Sequence, residues 1–180
     1  MDGDDKLKSS KKTAIKNTYS LTQIILHWFV AALVIYQLVI NADIKSWYKQ
    51  YQIEGNILPQ AFGTWAHIIV GLAIFFLMSF RLYLRFKTGT PSLPKSLSLP
   101  LAMLAHFSHY SLYLLLFAMP TTGFLGLYFK TTLLLNAHNV ISYILVFLIL
   151  FHICAAIFHE GVLGNKIFHK MFSPERFNSE

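Results

Sequence analysis

The chain has 180 residues, of which 55% are hydrophobic and 13% are charged, and its mean hydropathy is +0.51. A soluble domain usually carries about 25% charged residues, so this composition excludes an ordinary soluble globular protein. The net charge of +7 does not indicate nucleic-acid binding, because the sequence contains no compact soluble basic domain that would form such a surface.

Four stretches of the chain contain no Lys, Arg, Asp or Glu. Each exceeds the roughly 20 residues that cross about 30 Å of hydrocarbon as a helix. Because a membrane-spanning segment must satisfy its backbone hydrogen bonds internally, all four are predicted to be helical. The predicted fold class is therefore all-α, an integral membrane four-helix bundle. The spans are placed at about residues 20–40, 61–83, 101–129 and 133–159.

Polar segments surround this bundle. Residues 1–18 are predicted to be a polar tail, residues 19–171 the four-helix transmembrane domain, and residues 172–180 a second tail. The connection at 41–60 is rich in polar and aromatic residues, which suit a membrane interface. Pro120, inside the third span, predicts a kink or a change in helix form.

The positive charges predict the orientation of the bundle. Twelve of the 15 Lys and Arg residues lie before the first span, after the fourth span, or between Arg81 and Lys95, where the second span ends and the third begins. The opposite side has only Lys45, Lys49 and Lys130. This asymmetry predicts that both termini are cytoplasmic. The net positive charge is then attributed to topology and to contact with anionic membrane lipids.

Four histidines in the spans lie at two matched depths. Near the cytoplasmic ends, His27 comes eight residues after Tyr19 and His152 eight residues before Glu160. Near the outer ends, His67 comes eight residues after Pro59 and His138 eight residues after Lys130. His138 and His152 share one stripe of the fourth helix and are separated by roughly 21 Å along its axis. The depths therefore predict an inner pair, His27 with His152, and an outer pair, His67 with His138.

Haem explains such pairs better than a bare metal ion does. Zinc and non-haem iron usually need three or four protein ligands, and no Asp or Glu lies within the spans to complete a site. Haem needs only axial ligands, and two imidazoles on one iron favour electron transfer over oxygen binding. The sequence has no Cys-x-x-Cys-His motif, so two non-covalent haem b groups are predicted. The alternative is that these histidines serve packing or proton relay.

Two histidines at the start of the third span belong to the same region. His109 has a depth close to that of His27 and is the main rival for the inner haem ligand. His106 and His109 are also interpreted as partners of haem propionates or as lining of a quinone pocket.

Several motifs resemble those of a known family. They are YSLTQIILHW at 19–28, HIIVG at 67–71, RLYLR at 81–85, LAHFSHYSLYLLLFAMPTTG at 104–123, and the run from HNVISY to FHICAAIFHE at 138–160. With these motifs the chain resembles the bacterial cytochrome b561 family, which is related to the cytochrome b subunits of nickel–iron hydrogenase and formate dehydrogenase. The resemblance implies a four-helix di-haem protein of the bacterial inner membrane that exchanges electrons with quinone, with ubiquinone as a substrate.

The resemblance also implies residue roles. The axial ligands fall on His27, His67, His138 and His152. Arg81 and Arg85 gain an interpretation as partners of haem propionates or of a quinone headgroup. An equally weighted interpretation is that the two arginines set topology and contact lipid phosphates. No residue is assigned a catalytic role.

Two functions compete on this basis. Some members of the resembled family oxidise superoxide and pass the electron to ubiquinone, so one hypothesis is a superoxide:ubiquinone oxidoreductase. The other is a non-catalytic membrane anchor and electron conduit in a larger dehydrogenase or reductase. The partners expected are membrane lipid and quinone, with a second copy of the chain or a partner redox protein as further candidates. A haem-free membrane bundle is the third interpretation, although the sequence lacks the intramembrane carboxylates and broken repeats of many transporters.

Overall fold

The computed structural model describes residues 18–39, 42–54, 61–91, 97–164 and 168–172. Within these residues the chain forms five α-helices, a short 3₁₀ helix and no strand. The α-helices are α1 (Leu21–Val39), α2 (Ala42–Glu54), α3 (Phe62–Thr88), α4 (Leu99–Tyr128) and α5 (Thr132–Gly161), and the 3₁₀ helix is His169–Met171.

Four of these helices, α1, α3, α4 and α5, are long and apolar enough to cross a membrane. The predicted all-α membrane bundle is therefore confirmed. The predicted tails lie outside the described residues, except for Thr18 and Phe172 at their edges.

The first helix is tied to the end of the third. Ser20 and Gln23 form a reciprocal capping box, in which the Gln23 backbone donates to Ser20 Oγ at 3.3 Å and the Ser20 backbone donates to Gln23 Oε1 at 3.1 Å. Gln23 Nε2 also donates to the carbonyl of Gly89 at 3.1 Å. Gly89 ends α3 with φ of 70°, a conformation that glycine adopts without steric cost. We call this end of the bundle the inner end.

The fourth and fifth helices are joined by a tight turn at the opposite end, which we call the outer end. Lys130 has φ of 52°, and the N–H of Thr131 donates back to the carbonyl of Gly126 at 3.0 Å. A Cβ at position 126 would lie 2.8 Å from Leu135 Cδ2, so the glycine allows α5 to start directly against α4. The two helices then pack closely along their length.

Helix α2 covers the outer end of the bundle. Trp47 and Tyr51 are buried against Leu135 at the start of α5, and the Tyr48 hydroxyl donates to the side-chain oxygen of Asn136. The sequence predicted only an interfacial connection here. The helix was missed because polar and apolar residues mix within it and no charge-free run marks it.

Helix α4 continues through Pro120 without interruption. Proline has no N–H, so the carbonyl one turn earlier, that of Leu116, lacks its helical donor. The hydroxyls of Thr121 and Thr122 donate to the carbonyls of Phe117 and Ala118, each at 2.7 Å. These side chains add hydrogen bonds to the helix around the proline.

An apolar layer fills the middle of the bundle. Val30 and Val34 of α1 pack with Ile74 and Met78 of α3, and Phe117 of α4 packs against this cluster. Ile149 of α5 also packs against this cluster, although within the described residues the backbone of α5 lies further from α1 and α3 than from α4. The apolar layer therefore separates two regions, one towards each end of the bundle, where polar side chains face inward.

Candidate functional site

The outer region contains His67 of α3 and His138 of α5. Their ring centroids are 6.1 Å apart, and their planes meet at 74°. The Nδ1 atom of His67 is buried and has no hydrogen-bond partner among the described residues. The structure thus brings together the two histidines that the sequence predicted as the outer pair.

The His138 ring is fixed by a backbone group of a neighbouring helix. Its Nδ1 lies 2.8 Å from the carbonyl oxygen of Met119 on α4. Because a carbonyl can only accept, Nδ1 carries the hydrogen in this bond, and Nε2 keeps its lone pair. A histidine held in this way is prepared to bind a metal through Nε2, since metal-bound histidines usually donate their other N–H to such an acceptor.

A cavity of about 240 Å³ lies beside the outer pair. Gly71 and Gly123 line it together with both histidines, so two positions on its wall carry no side chain. Gln37 also lines the cavity, and its Nε2 donates to the backbone carbonyl of His67 at 2.8 Å. The Oε1 of Gln37 is buried without a partner among the described residues. From α2, the cavity is lined by Ile44, Lys45, Trp47 and Tyr48.

The inner region contains three histidines. The rings of His109 on α4 and His152 on α5 are 5.2 Å apart between centroids, at 69°. His27 of α1 lies close enough to His109 and His152 to interact with them electrostatically. Its ring also contacts that of Trp28, with centroids 5.3 Å apart. The structure therefore places the predicted partner His27 and the rival His109 in the same region, with the His109 ring in contact with that of His152.

Two arginines of α3 border this inner region. Arg81 lies within electrostatic range of His27, and its Nε donates to the Tyr113 hydroxyl at 3.2 Å. Its Nη1 is buried without a partner among the described residues. The guanidinium of Arg85 lies over the rings of Tyr110 and Tyr113, 5.6 Å from each centroid. A buried, unsatisfied guanidinium nitrogen beside a histidine cluster is suited to an anionic oxygen.

Two further side chains complete the inner end. Burial raises the pKa of the Tyr19 phenol, and the nearby charges of Arg81 and Arg85 act in the opposite direction. Tyr19 therefore stays a neutral hydroxyl at physiological pH. His106 is exposed and stacks on Tyr110 at 6.4 Å, so it lies at the edge of the inner region.

The donor set of both regions fits haem. Within the described residues, no three His, Cys, Asp or Glu side chains group closely enough to hold a metal ion. At the outer end, His67 and His138 would hold the iron through their imidazole nitrogens, and the 6.1 Å between their ring centroids leaves room for a metal ion between the rings. The carbonyl behind His138 and the glycines along the cavity wall are consistent with a flat ligand held between helices.

Sequence reasoning missed three parts of this site. It assigned no role to Met119, since a backbone carbonyl leaves no signal in the residue type. It did not use the four-residue spacing between His109 and Tyr113, which puts both side chains on one face of α4. It also did not identify Gln37, although an uncharged amide within an apolar span is itself a signal.

Comparisons with known proteins agree with this geometry. A family model described as prokaryotic cytochrome b561 matches residues 18–174. Cytochrome b562 of Cereibacter sphaeroides is 28% identical over 156 residues, which cover 87% of this chain and 96% of that protein. The probable superoxide oxidase CybB of Yersinia pestis is 28% identical over an alignment of 182 residues, which covers 88% of this chain and 97% of that protein.

Proposed function

Because the chain belongs to the prokaryotic cytochrome b561 family, whose model matches residues 18–174, we propose that it is a di-haem cytochrome that exchanges electrons with the quinone pool. It is a multi-pass membrane protein of a b-type cytochrome family that acts in electron transfer. The observation that carries the di-haem proposal is the presence of histidine pairs at both ends of one bundle, separated by an apolar layer.

The axial ligands proposed are His67 with His138 at the outer end and His27 with His152 at the inner end. Helix packing supports this choice over His109. The ligands of one haem must leave room between them for the macrocycle, and α4 packs too closely along α5 to provide it. By contrast, the backbones of α1 and α3 lie further from that of α5 in the described part of the chain, so their side chains reach towards α5 across a wider gap. His109 then lies beside the inner ligand His152.

Haem held by two histidines supplies one-electron transfer with little rearrangement of its ligands. The remaining residues determine what surrounds it. Arg81, with its unpaired Nη1, would bind a propionate or a quinone oxygen, and Arg85 is held over two tyrosine rings for the same purpose. The Tyr19 hydroxyl and the His109 ring add hydrogen-bonding groups at this end. Ubiquinone is proposed to exchange electrons here.

The outer end favours a small electron donor over a docking protein. Helix α2 lies across this end and contributes four residues to the wall of the outer cavity. A partner protein would meet α2 before it met the outer histidine pair. The Yersinia pestis relative is named a probable superoxide oxidase. Superoxide is small and anionic, and it is the donor that we propose.

The membrane proposed is the bacterial inner membrane, with both termini in the cytoplasm. The inner end is the end at which α3 finishes with Arg85 and Lys87 in its last turn. The outer end carries Lys130 in the α4–α5 turn and two lysines on α2. Cytoplasmic connections are the more positive ones, so the charges support this orientation.

The proposal is tested in two measurements on the purified protein. A pyridine haemochrome assay should give close to two haems per chain. A value near one would remove one histidine pair, and a value near zero would end the haem proposal. Stopped-flow mixing of oxidised protein with superoxide should then reduce the haem, and added ubiquinone should reoxidise it. Haem that ignores superoxide but accepts electrons from a co-purifying dehydrogenase would instead support the conduit function.

A further inference from the structure

The ring of His138 shares its hydrogen-bond acceptor with a second donor. The Met119 carbonyl accepts from His138 Nδ1 at 2.8 Å and also from the Thr122 hydroxyl at 3.0 Å. Thr122 Oγ1 lies 3.5 Å from His138 Nδ1, and its single hydrogen is shared between the Met119 carbonyl and the Ala118 carbonyl, the latter at 2.7 Å. Two side chains therefore hydrogen-bond to one backbone oxygen, and each donor draws on the electron density that the other uses.

Access to this oxygen depends on Gly123. In an α-helix the carbonyl of residue 119 is directed along the axis towards residue 123, so a side chain there stands beside it. A Cβ at position 123 would lie 3.0 Å from His138 Nδ1 and 3.1 Å from its Cε1. Both distances are closer than ordinary carbon contacts. Glycine inside a helix costs stability relative to alanine, so its presence here needs a reason. The reason is the approach of the imidazole to the Met119 carbonyl.

We propose that Gly123 and Thr122 are positioning residues that set the strength of the His138 Nδ1–H···O=C bond from opposite directions, and through it the reduction potential of the outer haem. This inference rests on the proposed function, in which His138 is an axial ligand. A histidine that donates a stronger hydrogen bond is a more basic ligand. A more basic ligand favours the oxidised iron and lowers its potential, and hydrogen bonding around the ligands is one of the ways a protein tunes haem.

Two substitutions should therefore shift the potential in opposite directions. Gly123→Ala pushes the imidazole away from the Met119 carbonyl, weakens the bond and raises the outer potential. Thr122→Val keeps the shape of the side chain but removes its hydroxyl donor, so the Met119 carbonyl accepts more strongly from His138 and the outer potential falls. Redox potentiometry of the purified protein, followed at the haem absorption bands, gives both potentials. The inner component should not move in either variant.

A matched control comes from the same helix. Gly126→Ala also inserts a methyl group between α4 and α5, but it meets Leu135 instead of a histidine. Gly161→Ala meets nothing within 4 Å and controls for the substitution itself. Gly161→Ala should keep the wild-type outer potential. Gly126→Ala, which presses on Leu135 at the start of α5 without touching the His138 ring, should not raise the outer potential as Gly123→Ala does. If Gly126→Ala raises the outer potential as Gly123→Ala does, general crowding between the helices explains the effect and the inference is overturned.

The remaining outcomes separate this inference from the proposed function. If His138→Ala retains both haem components, the ligand assignment fails and the inference falls with it. If His138→Ala loses the outer component but Thr122→Val leaves its potential unchanged or raises it, only the inference fails. If Gly123→Ala does not incorporate haem, Thr122→Val alone decides, since the inference requires that its outer potential falls.

Discussion

Trp28 of α1 donates a hydrogen bond from its indole Nε1 to the backbone oxygen of Met171, 143 residues further along the chain, at 2.9 Å. The ring of Phe172 packs on the same indole, with centroids 4.8 Å apart. These contacts border the inner region, because the ring of His27 also contacts the Trp28 indole. The chain after α5 is therefore fastened beside the inner histidines.

Trp28→Phe should release this segment while leaving the bundle folded. The substitution keeps an aromatic ring against Phe172 but removes the donor, and one such bond contributes about 1 kcal/mol. Limited proteolysis should cut the variant faster after Gly161, and haem content should stay at the wild-type level. Tyr143→Phe, on the exposed face of α5, is the control. Unchanged cleavage in Trp28→Phe would show that the bond does not hold the segment.

The second prediction concerns which histidines bind the inner haem. His27→Ala and His152→Ala should lose the same haem component, and His138→Ala should lose the other, because the two centres are about four helical turns apart. His109→Ala should keep both components. Spectra and redox potentiometry of the four variants check this. If His109→Ala loses the component that His152→Ala loses, while His27→Ala keeps it, then His109 is the ligand and our inner pairing is wrong.

Arg81 should tune the inner haem through its charge. Arg81→Gln removes a positive charge beside the inner histidines, which favours the oxidised iron, so the inner potential should fall. The effect on the redox equilibrium should be on the order of tenfold, as expected for one charge in a partly buried site. Arg81→Lys, which keeps the charge, should restore most of the wild-type value. Tyr113→Phe removes only the hydrogen bond to Nε and should have a smaller effect. Equal shifts in Arg81→Gln and Arg81→Lys would exclude the charge as the cause.

The four spans could be predicted from the sequence because charges are segregated along it, and charge-free runs of this length have few other structural solutions. The helices themselves extend beyond some of the predicted span ends. Helix α3 runs to Thr88, beyond the predicted residue 83, because Arg81 and Arg85 do not end it. A Lys or Arg side chain can lie along the helix with its apolar stem and carry its charge to a polar environment further on. The position of such a residue in the sequence is therefore a poor indicator of where the helix ends.

The sequence predicted those features of the site that depend on how deep each residue lies in the membrane. Counting residues from the span ends put His67 and His138 at one level, and the structure brings their rings together. Depth says nothing about which helices are neighbours. The approach of His109 to His152 follows from the close packing of α4 on α5, which no residue count encodes. The bond to the Met119 carbonyl was equally hidden, since it depends on the absence of a side chain at Gly123.

The orientation in the membrane is a further prediction. Reporter fusions within residues 42–54 and after Met171 should report opposite sides, the first outside and the second in the cytoplasm. The physical reason is the excess of Lys and Arg at the inner end. A cytoplasmic signal from the α2 fusion would invert the orientation and would put the proposed superoxide site on the wrong side of the membrane.

Lys45 should increase the rate at which superoxide reduces the outer haem. It is the lysine of α2 that lines the outer cavity, whereas Lys49 is exposed on the same helix and does not line it. A positive charge at the mouth of a cavity attracts an anion, and losing one such charge should slow the reaction by about two- to fivefold at low salt. Lys45→Gln should show this loss in stopped-flow measurements, with Lys49→Gln as the matched control.

Ionic strength separates attraction from other effects of the substitution. The Debye length falls from about 30 Å at 0.01 M salt to about 10 Å at 0.1 M, so an electrostatic advantage of Lys45 should shrink as salt is added. The wild-type rate should fall towards that of Lys45→Gln, whose own rate should change less. Lys49→Gln should follow the wild type, because its charge lies away from the cavity. Equal slowing by Lys45→Gln at all salt concentrations would mean that Lys45 shapes the cavity and does not steer the anion. Equal slowing by Lys49→Gln would mean that only the total charge of α2 matters.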